Sequence, residues 1–189
     1  MEDIIVSSGQ TSTGLTMTDN TMYVYPGGTA TKTKVDTGGY LIVSNGGMAI
    51  ETRICKSGVC IATGVMDGIS IESKGRFDLG DPTSSGGNTS ANNTIVYAGG
   101  SMNISSGGTA TNTTVHSGGS VFIHYATAMG LTMGKGAKYT FFVASDSVVQ
   151  GTYGGSAFEM ADASVSDFTI DSECNLFIGD GVKIGRAHV

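Results

Sequence analysis

Carboxylates are the side chains of this sequence best suited to acid–base chemistry, and the densest group of them is Glu159, Asp162, Asp167, Asp171 and Glu173. Enzymes that cleave polysaccharides need two or more carboxylates that converge on one bond. In an extended strand, alternation places most of this group on one side beside serine and threonine, as on a solvated outer face. We therefore assign no catalytic residue, and a polysaccharide-degrading enzyme is kept as an alternative.

Histidine and serine give no stronger chemical signal. His116 and His124 have no cysteine or histidine partner at metal-ligand spacing, so neither a metal site nor any other cofactor is predicted. Serine is abundant, but the Gly-x-Ser-x-Gly pattern of a hydrolase nucleophile is absent.

Composition and charge narrow the class of protein. The chain has 30 glycines but only 2 prolines in 189 residues, which excludes collagen. Its net charge of -6 and the lack of basic clusters argue against a nucleic-acid or anionic-membrane partner. No run of apolar residues is long enough for a transmembrane helix, and the first residues do not have the pattern of a signal peptide.

Glycine pairs recur at fixed spacing, which indicates how the elements that position the other residues are arranged. The second glycines stand at 28, 39 and 47 and are followed by the single Gly58, with steps of 11, 8 and 11, and later pairs have their second glycine at 100, 108 and 119, with steps of 8 and 11. One short and one long step make a repeat of 19 residues. We predict turns there, with glycine supplying left-handed backbone conformations. The predicted turn glycines are Gly27, Gly28, Gly38, Gly39, Gly46, Gly47, Gly99, Gly100, Gly107, Gly108, Gly118 and Gly119.

Between the turns, alternation predicts short strands with one buried face. In the first half of the repeat, the residues expected to face a core are Thr31, Thr33, Val35, Ile50, Thr52, Ile54, Thr111, Thr113 and Val115. Those expected outside are Lys32, Lys34, Asp36, Glu51, Arg53, Asn112 and His116. In the second half, the expected core residues are Leu41, Val43, Met102, Ile104, Val121 and Ile123.

A unit of two short strands cannot bury its apolar face alone, so stacking on neighbouring copies is the natural solution. The sequence therefore predicts an all-β parallel solenoid of about 19-residue repeats. A β-sandwich with glycine turns would also contain short strands, but it does not require a fixed spacing. Residues 81–90 are predicted to form a longer surface loop. The pattern at 174–181 matches 39–46, so the coil is expected to continue there.

The repeat also places two cysteines and several aromatic residues. Cys55 aligns with outward positions and Cys60 with inward ones, so free thiols are favoured over a disulfide between them. Tyr40 and Phe122 are expected on the surface, where rings stack on sugars or meet another protein. The alternative is that these rings only pack across coils. With Tyr23, Tyr97 and Tyr125, they are candidates for one stripe across the coils.

The segment Val-Tyr-Pro-Gly-Gly-Thr-Ala-Thr-Lys-Thr-Lys-Val-Asp-Thr-Gly-Gly-Tyr-Leu-Ile-Val at 24–43 closely resembles the repeats of AIDA-type autotransporter passenger domains. The resemblance is strongest over 22–59 and 94–124. It implies a single-stranded, right-handed parallel β-helix outside a bacterial cell, associated with the outer membrane and serving adhesion, autoaggregation or biofilm formation. In that family, serine and threonine of the repeats can carry sugars. The family's whole-protein pattern also includes a signal peptide and a C-terminal translocating barrel, and neither pattern is recognised in these 189 residues.

These observations predict one β-solenoid domain over 1–183 and a non-native tail at 184–189, because the last six residues coincide with one reading frame of a sequencing adapter. The expected function is that of a non-catalytic surface adhesin module. Its expected partners are a host-cell or matrix glycan or protein receptor, and further copies of the chain that associate through the solenoid ends or faces. A structural spacer or phage-fibre stalk is the other alternative.

Overall fold

The computed structural model describes residues 2–80, 89–161, 164–166, 168–170, 172, 174–184 and 187–188. Over these residues the chain is all-β, without a helix, so no described helix is long and apolar enough to span a bilayer. Outside the described residues lie most of the predicted loop at 81–90, four of the clustered carboxylates (Asp162, Asp167, Asp171 and Glu173) and half of the predicted tail.

In chain order, the strands are β1 (Ile4–Val6), β2 (Thr11–Thr13), β3 (Thr16–Met17), β4 (Thr21–Val24), β5 (Thr29–Thr31), β6 (Lys34–Val35), β7 (Tyr40–Val43), β8 (Met48–Ile50), β9 (Arg53–Ile54), β10 (Val59–Ala62), β11 (Val65–Ile71), β12 (Arg76–Leu79), β13 (Ser90–Val96), β14 (Ser101–Ile104), β15 (Thr109–Val115), β16 (Ser120–His124), β17 (Thr127–Met133), β18 (Lys138–Val143), β19 (Val148–Tyr153), β20 (Ser156–Ala161), β21 (Ser164–Ser166), β22 (Phe168–Thr169), β23 (Asn175–Ile178), β24 (Lys183–Ile184) and β25 (Ala187–His188).

The strands alternate between two long sheets as the chain coils. Sheet 1 has the order β1-β4-β7-β10-β12-β14-β16-β18-β23, and sheet 2 contains the other strands except β22 and β25, which pair with each other. Neighbouring strands pair in parallel with equivalent residues side by side, as Val35 with Ile54 in sheet 2 and Leu41 with Cys60 in sheet 1. This register confirms the predicted parallel β-solenoid of stacked coils.

The core of sheet 1 agrees with the alternation in the sequence. All six residues expected to face inward are buried, namely Leu41, Val43, Met102, Ile104, Val121 and Ile123. In the less regular coil, Cys60 and Phe77 occupy the equivalent positions and are also buried. Burying a side chain of this size contributes about 1.5–3 kcal/mol, so these inward columns are a main source of stability.

Sheet 2 corrects part of the prediction. Lys32, Glu51 and Asn112 have left-handed backbone conformations, with φ of 53, 55 and 56°. Each lies in a different coil and interrupts the two-residue alternation there. The inward positions before it are therefore out of step with the inward positions after it. The prediction that Thr31, Ile50 and Thr111 face the core is wrong, because these three side chains lie outside and partly exposed.

The buried residues at this level of sheet 2 are instead Ala30, Ala49 and Ala110. Beyond the left-handed residue the prediction holds, since Thr33, Thr52 and Thr113 are buried as expected. Asp36, expected outside, lies at a corner and is only 8% exposed.

The two glycines of a pair have different roles. Gly38 and Gly118 are in the left-handed region, with φ of 65 and 77°, which glycine adopts without steric cost. The second glycines, such as Gly100, have ordinary φ values but lie against the backbone of the preceding coil. A Cβ atom on Gly100 would be 2.6 Å from the carbonyl oxygen of Ile71. The second glycine is therefore required by coil-to-coil distance.

Near the C-terminal end the parallel stacking is interrupted. The strands β19, β20 and β21 pair in antiparallel fashion, with the turn between the first two at Gly154 and Gly155. The chain then returns to sheet 1, where β23 pairs with β18 and places Leu176 beside Phe141. A strand at this place agrees with the pattern at 174–181, although the antiparallel strands before it depart from a continuous coil.

Candidate binding surface

The outer side of sheet 1, called here the front face, is a flat array of side chains on stacked strands. Equivalent residues of neighbouring strands lie about 4.8 Å apart, so outward side chains form columns across the coils. The central column consists of Ile5, Tyr23, Ile42, Ile61, Asp78, Asn103, Phe122, Thr140 and Asn175. The column changes from apolar to polar at Asp78 and is polar from there on except at Phe122.

The N-terminal part of the front face is an apolar patch formed by Ile5, Tyr23, Tyr40, Ile42 and Ile61. Ile5 is 59% exposed and Tyr40 43% exposed. Tyr40 is paired with residues of both neighbouring strands, so its backbone is fixed within the sheet. The patch therefore presents exposed apolar surface on a rigid support.

A polar network follows the apolar patch. The Arg76 guanidinium donates from Nε to Asp78 Oδ1 at 2.9 Å, and its Nη2 lies 2.8 Å from Asp78 Oδ2. From the next coil, Asn103 donates its Nδ2–H to the same Oδ1 at 2.5 Å. The hydrogen bond with Asp78 raises the pKa of the Arg76 guanidinium above its ordinary value. The network joins two coils and holds three polar side chains in fixed positions.

Beyond the network lies an aromatic cluster of Phe122, His124, Tyr125, Phe142 and Phe177. Phe142 stacks on Phe177, with ring centres 4.4 Å apart and an interplanar angle of 8°. It also contacts Phe122 at 5.5 Å and His124 at 5.2 Å. Rings packed at these distances stabilise one another, and Phe122 nevertheless remains 36% exposed. The cluster is thus both cross-coil packing and exposed surface.

The structure places the two predicted surface aromatics on one face but does not bring them together. Tyr40 is in β7 and Phe122 in β16, four strand spacings apart in sheet 1, or about 19 Å. The polar network lies between them. Tyr97 is outside the front face, at a corner where it stacks on His116 at 5.2 Å. The aromatic residues therefore do not form one stripe.

Two shallow depressions adjoin Phe122 and Asn103. The larger, of about 500 Å³, is lined by Arg76, Asp78, Gly80, Asn103, Ser105 and Phe122. The smaller, of about 260 Å³, is bordered by the outward residues Ser101, Asn103, Ser120, Phe122, Lys138 and Thr140. Small residues lie among the larger ones in each lining, Gly80 and Ser105 in the larger depression and Ser101 and Ser120 in the smaller. Together they form the most varied chemical surface on the front face.

Sequence reasoning missed Arg76, Asp78 and Asn103 as site residues. The first two lie where the glycine spacing is irregular, so no repeat alignment placed them. The alternation of polar and apolar residues in Arg76-Phe77-Asp78-Leu79 was the available signal, because it marks both polar residues as outward.

Of the clustered carboxylates, Glu159 is the one among the described residues. Glu159 is exposed on β20 opposite Gln150. The described residues contain no group of three or more histidine, cysteine, aspartate or glutamate side chains placed to hold a metal ion. Cys55 and Cys60 are buried free thiols, and burial raises the pKa of both.

Comparison with known proteins gives one kind of match. No protein-family model matches the sequence. No curated protein matches it either. Among solved structures, the chain is similar to a crystal structure of a hyper-glycosylated fragment of TibA, an autotransporter adhesin, whose glycosylation is catalysed by TibC. The TM-score is 0.68 at 25% sequence identity, over 97% of this chain and 60% of the TibA chain. The chain thus spans less than two thirds of the TibA fragment that it matches.

Proposed function

We propose that this chain, a β-solenoid consistent with an AIDA-type autotransporter passenger repeat, is a non-catalytic adhesion module displayed on the surface of a bacterial cell. The observation that carries the proposal is the front face, where an apolar patch, a polar network and an aromatic cluster follow one another on one rigid sheet. Large exposed apolar areas on soluble proteins mark interaction sites. The similarity to an autotransporter adhesin supports the same conclusion.

The mechanism is multivalent contact. Each outward side chain contributes a weak interaction, but the stacked coils hold many of them in a fixed array, and many copies on one cell raise the effective concentration of each contact. The same face serves two activities, adhesion to a host or matrix receptor and autoaggregation between cells. Biofilm formation is a consequence of autoaggregation. The apolar patch serves both, because it presents Tyr40 and Ile61 without covering residues among the described part of the chain.

The test uses beads coated with the whole purified chain, and it measures both bead aggregation and retention on cultured cell layers under flow. A variant with Tyr40→Ser and Ile61→Ser removes apolar surface from the front face. Ile50→Ser is the matched control, since Ile50 lies on the outer side of sheet 2 and is also partly exposed. We expect the front-face variant to lose most aggregation and retention and the control to keep both. Wild-type beads that behave like uncoated beads would refute the function.

A further inference from the structure

We infer that the front face contains a glycan-binding site centred on Phe122 and Asn103, which takes neutral hexopyranose residues. The inference rests on the proposed adhesive function and names the ligand class that one part of the surface recognises. The supporting observation is that, around Phe122 and Asn103, the front face places an exposed aromatic ring beside a fixed set of hydrogen-bonding groups.

Phe122 supplies the stacking surface. A pyranose ring has an apolar side of C–H groups, which loses contact with water when it packs on an aromatic face. Phe122 is exposed, and contacts with His124 at 6.2 Å and Phe142 at 5.5 Å restrict its orientation. A ring that is already immobilised loses little conformational entropy on binding, so Phe122 is suited to be the platform.

The polar network supplies the hydrogen bonds. Arginine has five N–H donors, and the contacts from Nε and Nη2 of Arg76 to Asp78 leave others directed elsewhere. Asn103 uses an N–H for Asp78, so its amide oxygen is the acceptor that it can offer a ligand. Ser105 adds a hydroxyl in the same depression. Sugar hydroxyls both donate and accept, and a mixed set of fixed donors and acceptors matches them.

In the larger depression, charge favours a neutral sugar over an anionic one. The guanidinium of Arg76 and the carboxylate of Asp78 form an ion pair, so the larger depression has no net charge from this pair. A phosphate or carboxylate ligand would have to compete with Asp78 for Arg76. The chain as a whole carries a net charge of -6, which adds repulsion of anions at low ionic strength.

The shape of the surface favours more than one sugar ring. The depressions of about 500 and 260 Å³ share Phe122 and Asn103 as their common border. A short oligosaccharide can therefore place a ring on each side of these residues. Because both depressions are shallow, we expect an oligosaccharide to bind weakly at a single site, with adhesion strengthened by many copies of the chain.

The experiment titrates the purified chain with neutral trisaccharides built from glucose, galactose or mannose and with a sialylated trisaccharide, followed by saturation-transfer NMR. We expect at least one neutral trisaccharide to bind in the millimolar range. Phe122→Ala should weaken it about tenfold, and Phe122→Leu, which keeps apolar volume without the ring, should weaken it comparably. Tyr97→Ala is the matched control and should bind as the wild type, since Tyr97 is an exposed aromatic residue outside the front face.

Binding of none of the neutral sugars, binding of the sialylated sugar only, or equal losses in the Phe122 and Tyr97 variants would overturn the inference. A circular-dichroism melting curve for each variant separates lost binding from lost fold. The bead assay distinguishes the two proposals. Wild-type beads that adhere although no sugar binds would leave the adhesive function standing without this site. Sugar binding without adhesion would reject the adhesive function instead.

Discussion

The α-carbon of Gly58 packs against the backbone carbonyl oxygen of Val35 in the preceding coil, and a Cβ atom at this position would overlap that oxygen. Its neighbour Ser57 has the opposite constraint, since its φ of 71° lies in the left-handed region. That conformation costs an L-residue other than glycine roughly 1–2 kcal/mol. One corner of the solenoid thus holds a glycine that close packing requires and a serine where glycine would be better.

Substituting each of these residues should change the free energy of unfolding, in opposite directions for the two. Gly58→Ala forces the coils apart and should lower the free energy of unfolding by about 1–3 kcal/mol, the usual cost of overpacking. Ser57→Gly relieves the strained backbone and should raise the free energy of unfolding by about 0.5–1 kcal/mol. The gain is smaller than the strain itself because glycine loses extra entropy on folding. Urea denaturation followed by circular dichroism measures both. Two changes of the same sign would show that this corner is not packed as described.

Replacing a buried threonine by valine should stabilise the solenoid. The hydroxyls of Thr33 and Thr52 are buried on adjacent coils and have no hydrogen-bond partner among the described residues. Burying such a group costs roughly 1–3 kcal/mol. Thr33→Val keeps the shape and should raise the unfolding free energy by about 1 kcal/mol.

Thr31→Val is the control for this change, because Thr31 faces outward and its Oγ1 lies 2.9 Å from Thr13 Oγ1. It should leave stability unchanged or lower it slightly. Destabilisation by Thr33→Val to the same extent as by Thr31→Val would mean that the buried hydroxyl has a partner, such as an internal water.

Acid should weaken the corner at Asp36. A hydrogen bond from Lys34 and another from the backbone N–H of Thr37 lower the pKa of Asp36 to about 2. Because the folded-state pKa is below the value of about 4 for an unfolded aspartate, this contribution to stability is complete above pH 4 or so and is lost as the pH falls towards 2.

The measurement compares wild type with Asp36→Asn from pH 6 to pH 2. The wild type should be more stable at pH 6, and the difference should shrink as the solution is acidified. Lys34→Met removes the same ion pair from the other side and should also reduce the pH dependence. A stability difference that grows towards pH 2 would contradict the assigned pKa direction.

The thiols of Cys55 and Cys60 should be inert in the folded chain. Cys60 is fully buried in the core, and Cys55 is 4% exposed. Burial raises the pKa of each thiol, so little thiolate is available to react. Native protein should therefore label slowly at both positions with a thiol reagent, whereas urea-unfolded protein should label at once, as mass spectrometry of peptides would show. Rapid native labelling of Cys60 would place it outside the core.

The sequence predicted sheet 1 better than sheet 2. Leu41, Val121 and their equivalents were placed correctly because nothing interrupts the alternation between one turn and the next. In sheet 2, Lys32 and Glu51 shift the parity, and neither residue type indicates a left-handed conformation in advance. The error at Thr31 and Ile50 was therefore one of backbone conformation, since their hydropathy alone is compatible with either side.

The candidate site was predictable only in part. Phe122 was expected on the surface from the repeat, whereas its distance from Tyr40 depends on how many strands separate the two in the sheet. The neighbours of Phe122 could not be predicted, because Arg76 and Asp78 come from an irregular coil. Asp78 contacts Asn103 because their strands pair, although the two residues are 25 positions apart in the sequence.

The amino-acid sequence by itself determined the repeat length, the two strand-forming segments per coil and the inward columns of sheet 1, because glycine spacing and side-chain alternation are local properties of the chain. Tertiary structure decided which outward residues became neighbours, and why the second glycine of a pair has to be glycine. Both depend on the distance between coils, which backbone hydrogen bonds between distant residues set. The arrangement of Arg76, Asp78, Asn103 and Phe122 on one face therefore exists only in the stacked solenoid.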